Sequence, residues 1–446
     1  MSSSFSELPT TWLSLKLGDV VAYGKTEKAE PEEIAPDTWV LELEDLEKDT
    51  TKVLQRLTFT ERQSKSTKNK FNAGDVLYGK LRPYLNKVTF ADSPGVCTTE
   101  IVPIKANEAV HGRYLFHWLR HPAFLKYVTE VSHGVNMPRL GTDAGRDAPF
   151  VLAPKAEQKR IADKLDTVLT RVDAVNTRLA RVAPLLKRFR QSVLASATSG
   201  RLTEDWRSSS TRAEWRNVKI SEICSSVADG DHQAPPQAMS GIPFITIAAI
   251  NDGYLNLGKA SRFVSDSYYR ELADKRRPQR GDVLYSVTGS VGIPALVDTD
   301  AEFTFQRHIA ILRPDQSQIS SFFLFHLLGS GQVRSQALEV ATGTAQLTIP
   351  LGGLRAIQIN LPPLAEQTEI VRRVETLFAL ADRLEARLAQ AQTAATRLTP
   401  ALLAKAFRGE LVPQDPNDEP AAELLRRLQA ERESVAATKP KRGRKA

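Results

Sequence analysis

Two stretches of the chain carry apolar residues at alternating spacings of four and three. The first runs from Ile161 to Val193 and the second from Ile370 to Leu402. This heptad spacing puts the apolar side chains on one seam of a helix, so it predicts two long helices that pair as a coiled coil. The seam residues are Ile161, Leu165, Val168, Val172, Val175 and Leu179 in the first helix, and Ile370, Val374, Leu377, Leu384 and Leu388 in the second.

The same spacing fits a second interpretation, in which each helix packs its apolar face on its own domain. The shared register favours the coiled coil, because each seam position of the first helix lies 209 residues before one of the second, as Ile161 lies before Ile370. Pro184 and Pro400 fall inside the two stretches, and each removes a helical hydrogen bond. We therefore expect a kink or a local break near each proline.

The repeat extends beyond the helices. Segments before and after them recur in the same order at offsets of 203 to 209 residues, and small insertions in loops account for the drift. Several matches in one order predict a tandem duplication of a unit of about 200 residues. The matched segments are Trp12–Leu17 with Trp215–Ile220, Gly74–Tyr78 with Gly281–Tyr285, Pro154–Gln158 with Pro363–Gln367, and Gly200–Leu202 with Gly409–Leu411.

Ahead of each long helix, short apolar runs bounded by Gly, Pro, Asp and Asn predict strands, interspersed with short helices. This mixture predicts the fold class as α+β, with one mixed domain before each long helix. The predicted strands are Ala73–Tyr78, Gly95–Ile104, Ile242–Ile250, Gly281–Val287 and His308–Leu312, and the predicted short helices are Gly112–Leu119, Ala123–Glu130 and Ser320–Gly329.

These elements divide the chain into five parts. The two mixed domains occupy residues 1–155 and 199–364, and the long helices occupy residues 156–198 and 365–409. In the last part, residues 410–446, Pro420 stands at a plausible helix start. We expect a short helix over Ala421–Glu433 that packs back on the first unit, and disorder beyond Ser434.

Composition narrows the class of protein. The chain has 446 residues, 41% of them hydrophobic and 25% charged, which is typical of a globular protein of two to four domains. Apolar runs such as Phe244–Ile250 are far shorter than the ~20 residues of a membrane span, and the polar N-terminus is no signal peptide. Cys97 and Cys224 are too few for a disulfide framework or a zinc site. We expect a soluble cytoplasmic protein that does not bind membranes.

The net charge of +8 is unevenly distributed. Five of the positive charges lie in the C-terminal tail, which leaves +3 for residues 1–438. Such a tail is commonly a solvated end, although Arg442-Gly443-Arg444 has the composition of a minor-groove contact. The charges of the tail are Lys439, Lys441, Arg442, Arg444 and Lys445. Because the body of the chain is only weakly basic, any binding of nucleic acid there must be local.

No catalytic motif is evident in the sequence. The glycine cluster Thr288–Gly292 lacks the lysine of a phosphate-binding loop. His117 and His121 have the spacing of a zinc-binding helix, but Trp118 stands where that motif requires a glutamate. His117 and His326 occupy equivalent positions beside apolar residues, so we expect them to be structural. A nuclease built from clustered acids stays open as an alternative.

Basic clusters accompany the repeated Gly-Asp-Val-Leu-Tyr segments. Around the first segment, residues 61–87 carry a local charge of +5 with Tyr78, Tyr84 and Asn86 interleaved, and Lys275, Arg276, Arg277 and Arg280 precede the second. Such clusters can neutralise DNA phosphates while polar neighbours read base edges; the alternative is a solvated loop. The candidate DNA-binding residues are Tyr78, Lys80, Arg82, Asn136 and Arg139 in the first unit, and Thr288, Ser290, Gln306, Arg307, Thr342 and Gln346 in the second.

Taken together, these motifs resemble those of the specificity (S) subunits of type I restriction–modification systems. The resemblance is carried by the two Pro-x-x-Glu-Gln segments, by Gly-Asp-Val-Leu-Tyr in both units, and by Leu402-Leu-Ala-Lys-Ala-Phe-Arg-Gly409-Glu-Leu411. The last segment is echoed more weakly by Val193–Leu202, where Thr198-Ser199 replaces Phe407-Arg408. The resemblance covers nearly the whole chain, although the family pattern does not require the basic tail.

The resemblance implies a chain without an active site. It implies two target-recognition domains, each reading one part of a bipartite, asymmetric sequence in double-stranded DNA, and an antiparallel pair of helices that holds them apart. Methyltransferase subunits, expected to number two, would dock around the helices and bring S-adenosylmethionine. Restriction subunits would add cleavage that depends on ATP and Mg²⁺. No cofactor and no metal is expected on this chain itself.

Two other classes of function stay open. One is a coiled-coil scaffold that binds only protein and shows no sequence-dependent affinity for DNA even with partner subunits present. The other is an enzyme, such as a fused nuclease or methyltransferase, which would show turnover by the isolated chain.

Overall fold

A computed structural model describes residues 8–134, 136–208, 214–230, 235–344 and 346–438. The chain forms two compact units. The first comprises residues 1–179 and 391–446, and the second comprises residues 180–390. Each unit contains one mixed domain and parts of two long helices, so the predicted α+β tandem duplication is confirmed.

Nineteen strands occur within the described residues. Those of the first unit are β1 (Leu13–Lys16), β2 (Lys28–Ala29), β3 (Trp39–Leu41), β4 (Leu57–Thr58), β5 (Lys68–Phe71), β6 (Val76–Gly79), β7 (Val88–Phe90), β8 (Gly95–Cys97), β9 (Ile101–Ile104) and β10 (Pro149–Leu152). Those of the second are β11 (Arg216–Lys219), β12 (Cys224–Asp229), β13 (Ile242–Ile245), β14 (Arg262–Val264), β15 (Val283–Ser286), β16 (Pro294–Leu296), β17 (Thr304–Phe305), β18 (Ile309–Pro314) and β19 (Gln358–Leu361).

Fourteen α-helices occur in the same part of the chain, two of them much longer than the rest. They are α1 (Leu17–Val20), α2 (Phe59–Arg62), α3 (Gly112–Trp118), α4 (Pro122–Val131), α5 (Thr142–Arg146), α6 (Lys155–Thr198), α7 (Glu204–Ser208), α8 (Ile220–Ile223), α9 (Asp266–Glu271), α10 (Ser321–Leu328), α11 (Gly331–Glu339), α12 (Leu351–Ala356), α13 (Leu364–Ala406) and α14 (Ala421–Thr438).

The repeat is visible in the pairing of the strands. In the first unit β1 pairs with β10, β6 lies between β7 and β9, and β3 runs parallel to β8. In the second unit β11 pairs with β19, β15 lies between β16 and β18, and β13 runs parallel to β17. The predicted strands lie at these positions, except that Gly95–Ile104 is divided into β8 and β9, and Ile242–Ile250 ends as a strand at Ile245.

The Pro-x-x-Glu-Gln segments fix the starts of the two long helices. Gln158 accepts a hydrogen bond from the His111 amide at 2.8 Å and donates to the Ala109 and Ala153 carbonyls at 2.9 and 2.8 Å. Gln367 does the same in the second unit, where it accepts from the Ser320 amide at 2.9 Å. Because both glutamines are fully buried and fully bonded, each holds its helix against the helix that follows the central sheet.

Each long helix has a buried N-terminal part in its own domain. Ile161 and Leu165 lie in the core of the first unit, and Ile370 and Val374 lie in the core of the second. This agrees with the interpretation in which a helix packs on its own domain. The same two cores also contain the ends of the other helix, with Leu403 and Ala406 in the first unit and Val193 and Leu194 in the second. Within each unit, therefore, the first part of one long helix and the last part of the other share a core and run in antiparallel directions.

Two predicted seam positions do not fit a continuous buried seam. Val172 is 6% exposed and Leu388 is 9% exposed, but Val175 is 45% exposed and Leu384 is 39% exposed. The seam prediction is wrong at Val175 and Leu384. The helices bury their apolar faces mainly toward their ends, where domain side chains join the packing.

The prolines in the two long helices do not break them. Helices α6 and α13 continue through Pro184 and Pro400, so neither proline ends its helix.

The C-terminal helix α14 packs on the first unit, as predicted, because Ala421 and Leu424 lie in the first core. This helix continues to Thr438, beyond the predicted start of disorder at Ser434. The five basic residues of the tail lie outside the described residues.

Candidate nucleic-acid interface

The Gly-Asp-Val-Leu-Tyr segments form a turn that leads into a buried strand. Gly74 and Gly281 have φ of 90° and 93°, a backbone conformation that glycine adopts without strain. Asp75 accepts a hydrogen bond from the Asn72 amide at 2.8 Å, and the equivalent Asp282 accepts from the Gln279 amide at 2.9 Å. The motif is therefore structural. It fixes the turn before each strand and so sets the position of the chain segment that follows the strand.

Tyr78 does not belong to the interface. It is 1% exposed and makes an edge-to-face contact with Phe124, with ring centroids 5.7 Å apart. Its equivalent Tyr285 is also fully buried. The prediction that Tyr78 reads DNA is wrong, because both faces of β6 are covered.

In the first unit, the segment after β6 is bonded to a short hairpin that we call the first loop (residues 133–139). His133 and Arg139 close this loop with two backbone hydrogen bonds of 3.2 and 2.9 Å. The Arg82 amide donates to the Pro138 carbonyl at 2.7 Å, and the Leu140 amide donates to the Lys80 carbonyl at 3.0 Å. The fold thus brings together Lys80, Arg82, Asn136 and Arg139, which are far apart in sequence.

The second unit builds the same frame around the second loop (residues 342–348). Thr342 and Thr348 close it with two backbone hydrogen bonds of 2.8 Å. The Gly289 amide donates to the Leu347 carbonyl at 2.9 Å, and the Ile349 amide donates to the Val287 carbonyl at 2.7 Å. Both loops turn at a glycine with positive φ, Gly134 at 118° and Gly343 at 95°. The two loops are therefore held by equivalent backbone hydrogen bonds, and the side chains they carry differ.

A third segment completes each frame. The Lys80 amide donates to the Glu100 carbonyl at 2.9 Å, and the Val287 amide donates to the His308 carbonyl at 2.9 Å. This places the segment with Gln306 and Arg307, two of the candidate residues, next to the strand end that holds the second loop, and it places residues 98–100 at the equivalent position beside the first. The sequence reasoning missed residues 98–100, although an offset of 208 aligns them with residues 306–308.

The candidate residues differ in how much side chain they present. In the first unit Arg82, Asn136 and Arg139 are exposed and Lys80 is half-buried. Thr288 is only 9% exposed and Gln306 is half-buried. Exposed side chains beside the second loop are those of Ser290, Arg307, Thr342 and Gln346.

Several cations of the basic clusters are paired with acids of the same unit. Lys68 is buried and bonded to Glu42 at 2.7 Å, and Lys70 is bonded to Glu27 at 3.3 Å. Arg280 is paired with Asp300 at 2.8 Å. Further pairs join Arg62 to Glu44 and Asp45, Arg276 to Asp229, and Arg277 to Asp274. The clusters as a whole are therefore not free phosphate-binding surfaces.

Comparison with known proteins identifies the family. The family described as type I restriction modification DNA specificity domain matches residues 9–183 and 212–392, so it matches each repeat once. The chain belongs to this type I DNA-specificity family. Among curated relatives, the chain is 32% identical over 373 residues to the type I restriction enzyme EcoBI specificity subunit of Escherichia coli, covering 78% of this chain and 76% of the relative.

Three further proteins are similar to this chain in sequence or in fold. The chain is 33% identical to the StySPI specificity subunit of Salmonella potsdam, over 74% of this chain and 73% of that one. The HsdS subunit of Thermoanaerobacter tengcongensis has a similar fold, with a TM-score of 0.60 and 24% identity over 92% of this chain and all of that one. A chain from a structural study of type I R-M complex assembly aligns with a TM-score of 0.73 and 24% identity, over 91% of this chain and 99% of that chain.

His117 and His326 of this type I specificity chain are structural, as predicted. His117 is buried and its Nε2 lies 2.8 Å from Asp166 on α6, while burial lowers the pKa of His326 to about 4. Within the described ranges, no group of three His, Cys, Asp or Glu side chains could hold a metal ion. Among the same residues, none of the helices is long and apolar enough to cross a membrane.

Proposed function

We propose that this chain is the DNA specificity subunit of a type I restriction–modification complex, and that each unit reads one part of a bipartite, asymmetric site. The observation that carries this proposal is the pair of equivalent loops. A shared backbone frame supports different side chains in the two units, with Arg139 and Asn136 in one loop and Thr342 and Gln346 in the other. A common scaffold with unequal polar side chains suits the reading of two different base sequences.

The basic clusters and the loops play different parts in the proposed binding of DNA by each unit. Because Lys68, Lys70 and Arg280 are paired with acids, these three cations add little to the net charge that can attract any DNA. The exposed polar side chains of the loops can instead form hydrogen bonds with base edges. Selective binding then depends on few contacts, and we propose that partner subunits supply the rest.

The long helices are the proposed site for those partners. They carry apolar side chains that are 39–57% exposed, and exposed apolar side chains along a helix suit a helical partner. These residues are Val175, Leu185, Leu380, Leu384 and Leu398. We propose that two methyltransferase subunits dock there and bring S-adenosylmethionine, and that restriction subunits bring ATP and Mg²⁺.

In this proposal the chain itself catalyses nothing and binds no cofactor, and it works in the cytoplasm of a bacterium or archaeon.

Helix α6 has 44 residues and α13 has 43, and both run from one unit into the other. A straight helix of 44 residues is about 66 Å long. We propose that the helices set the number of unspecified base pairs between the two parts of the site.

The test is to express the chain with the methyltransferase subunits of its own system in a host without other methylation. Sequencing of the methylated bases should give one bipartite, asymmetric motif, which disappears when this chain is omitted. A scaffold that binds only protein would assemble with the same subunits, but it would leave methylation without a sequence preference that depends on this chain. Turnover by the isolated chain would support the enzyme alternative.

A further inference from the structure

The equivalent frames of the two units differ at a pair of positions that carries two charges in the first unit. Where the first unit has Glu100 and Arg139, the second has His308 and Thr348. The backbone hydrogen bonds that fix these positions are the same in both units. The first unit therefore has an acid–guanidinium pair at the base of its loop that the second unit lacks.

The Glu100–Arg139 pair has a specific geometry. The Nε of Arg139 donates to the two carboxylate oxygens of Glu100 at 3.3 and 3.1 Å. The Arg139 side chain is 50% exposed and that of Glu100 is 25% exposed. Within the described residues, no acceptor is bonded to either terminal nitrogen of Arg139. The carboxylate thus orients the guanidinium through its inner nitrogen and leaves the outer pair of donors available.

The other cations near the loop are placed differently. The terminal Nη2 of Arg82 points to the Asn136 carbonyl at 3.4 Å, and the Arg82 backbone has φ of 50° with its amide bonded to Pro138. Arg82 therefore supports the loop. Lys80 carries a single ammonium, which suits a phosphate oxygen but has no paired donors for a base.

We propose that Arg139 is a specificity-determining residue that reads a guanine in the part of the site contacted by the first unit, and that Glu100 is its positioning residue. Guanine presents O6 and N7 side by side in the major groove, and a guanidinium matches them with two parallel hydrogen bonds. This inference rests on the proposed function. Because Thr348 occupies the equivalent place in the second unit, the effect of Arg139 is confined to one part of the site.

The experiment uses the full chain in complex with its methyltransferase subunits. The variants are Arg139→Ala, Arg139→Lys and Glu100→Gln. Matched controls are Thr348→Ala at the equivalent position and Lys16→Ala, which removes another exposed ion-paired cation of the same unit. The readouts are the methylated motif in cells and the affinity of the purified complex for duplexes that carry each base at every position of the site.

We expect Arg139→Ala to lower discrimination on the order of 10- to 100-fold at one guanine and to leave the other part of the motif unchanged. Arg139→Lys keeps the charge but not the paired donors, so it should relax the same position. Glu100→Gln keeps the volume but not the carboxylate, and it should relax that position to a smaller degree. Lys16→Ala should leave the whole motif unchanged, and Thr348→Ala should leave the part read by the first unit unchanged.

Four results would overturn the proposal: an unchanged motif in Arg139→Ala, relaxation at a position other than guanine, relaxation in the other part of the site, or equal weakening on all duplexes, which indicates a phosphate contact. Complete loss of binding by assembled complexes of both Arg139 variants would also count against it, because phosphate contacts survive the loss of a base reader. If the unaltered chain gave no bipartite motif, the proposed function would fail instead.

Discussion

Trp12 donates its indole N–H to the carboxylate of Glu157 at 2.8 Å, and this bond ties the residue just before β1 to the first turn of α6. The second unit repeats it, with Trp215 donating to Glu366 at 2.9 Å. Glu157 and Glu366 are each 1% exposed, and burial raises the pKa of Glu157. The repeated tryptophan and the glutamate of the repeated Pro-x-x-Glu-Gln segment thus form the same hydrogen bond in both units.

We predict that Trp12→Phe destabilises the protein by about 1–3 kcal/mol, because it leaves a buried carboxylate short of a donor while keeping most of the ring. Urea unfolding of the full chain measures the change. Tyr84→Phe is the control, because Tyr84 is 46% exposed, and it should change stability by less than about 0.5 kcal/mol. Equal stability of Trp12→Phe and the unaltered chain would show that the bond contributes nothing.

The stability of the protein should fall as the pH falls from 7 to 5, in part through His326. Burial lowers the folded-state pKa of this side chain to about 4, whereas the unfolded chain titrates near 6.5. Between these values the unfolded state binds more protons, so acid favours unfolding, and the cost at pH 5 is about 2 kcal/mol.

The variant His326→Gln removes this titration. It should lose about 2 kcal/mol less stability than the unaltered chain between pH 7 and pH 5, as measured by urea unfolding at both values. The control is His133→Gln, because His133 is exposed on the first loop. If His326→Gln showed the full acid sensitivity of the unaltered chain, His326 would not be the source.

Gly343→Ala should damage the second loop specifically. Gly343 has φ of 95°, and a Cβ there would lie 2.4 Å from the Gln346 carbonyl oxygen, so the loop must change shape at a cost of about 1–3 kcal/mol. We expect relaxed or lost discrimination in one part of the DNA site only. Gly352→Ala, whose Cβ would meet nothing within 4 Å, is the control and should leave the motif unchanged.

The isolated chain should bind DNA weakly and without selectivity. The net charge of residues 1–438 is only +3. Ion pairs within the protein also neutralise some of its cations, as Glu42 does for Lys68 and Asp300 does for Arg280. Because binding then releases few counterions from the DNA, the affinity should be low and should depend only weakly on salt concentration. Titration of a labelled duplex at physiological salt, with and without the methyltransferase subunits, measures this. Tight, site-selective binding by the chain alone would contradict the prediction.

The long helices could be predicted from sequence because heptad spacing is local, and the repeat could be predicted because matching segments recur in one order at offsets of 203 to 209 residues. The Glu157–Trp12 bond could not, since the two residues match at different offsets and meet only after folding. Lys68 illustrates the same limit. It belongs to a cluster predicted to contact phosphates, but in the structure it is buried and paired with Glu42, which lies 26 residues earlier in the chain. The prediction for Tyr78 fails because a strand covered on both faces shows no alternation of polar and apolar residues that would mark a side chain as buried.

The role of the helices in spacing can be tested by insertion. Adding one heptad to the middle of α6 and one to the middle of α13 keeps the register of the seam and lengthens the pair by ~10 Å, or about three base pairs. The two parts of the motif should stay the same while the unspecified spacer grows. Because three base pairs also rotate the DNA by about 100°, activity should fall, and the spacer should settle at one or two extra pairs.

Matched insertions of four residues are the control for this experiment. They shift the apolar seam out of phase, so they should destabilise the helix pair. The methylated motif and the assembly of the complex are measured for each variant. An active heptad variant with an unaltered spacer would show that the helices do not set the distance.

The central claim is that each unit reads its own part of the DNA site through its own loop. The most direct measurement is the methylated motif in cells that carry the chain with changes in the first loop (Asn136→Ala with Arg139→Ala) or in the second (Thr342→Ala with Gln346→Ala). We predict that the first pair alters one part of the motif, that the second pair alters the other part, and that neither alters both. A change of both parts by either pair, or of the same part by the two pairs, would contradict the account.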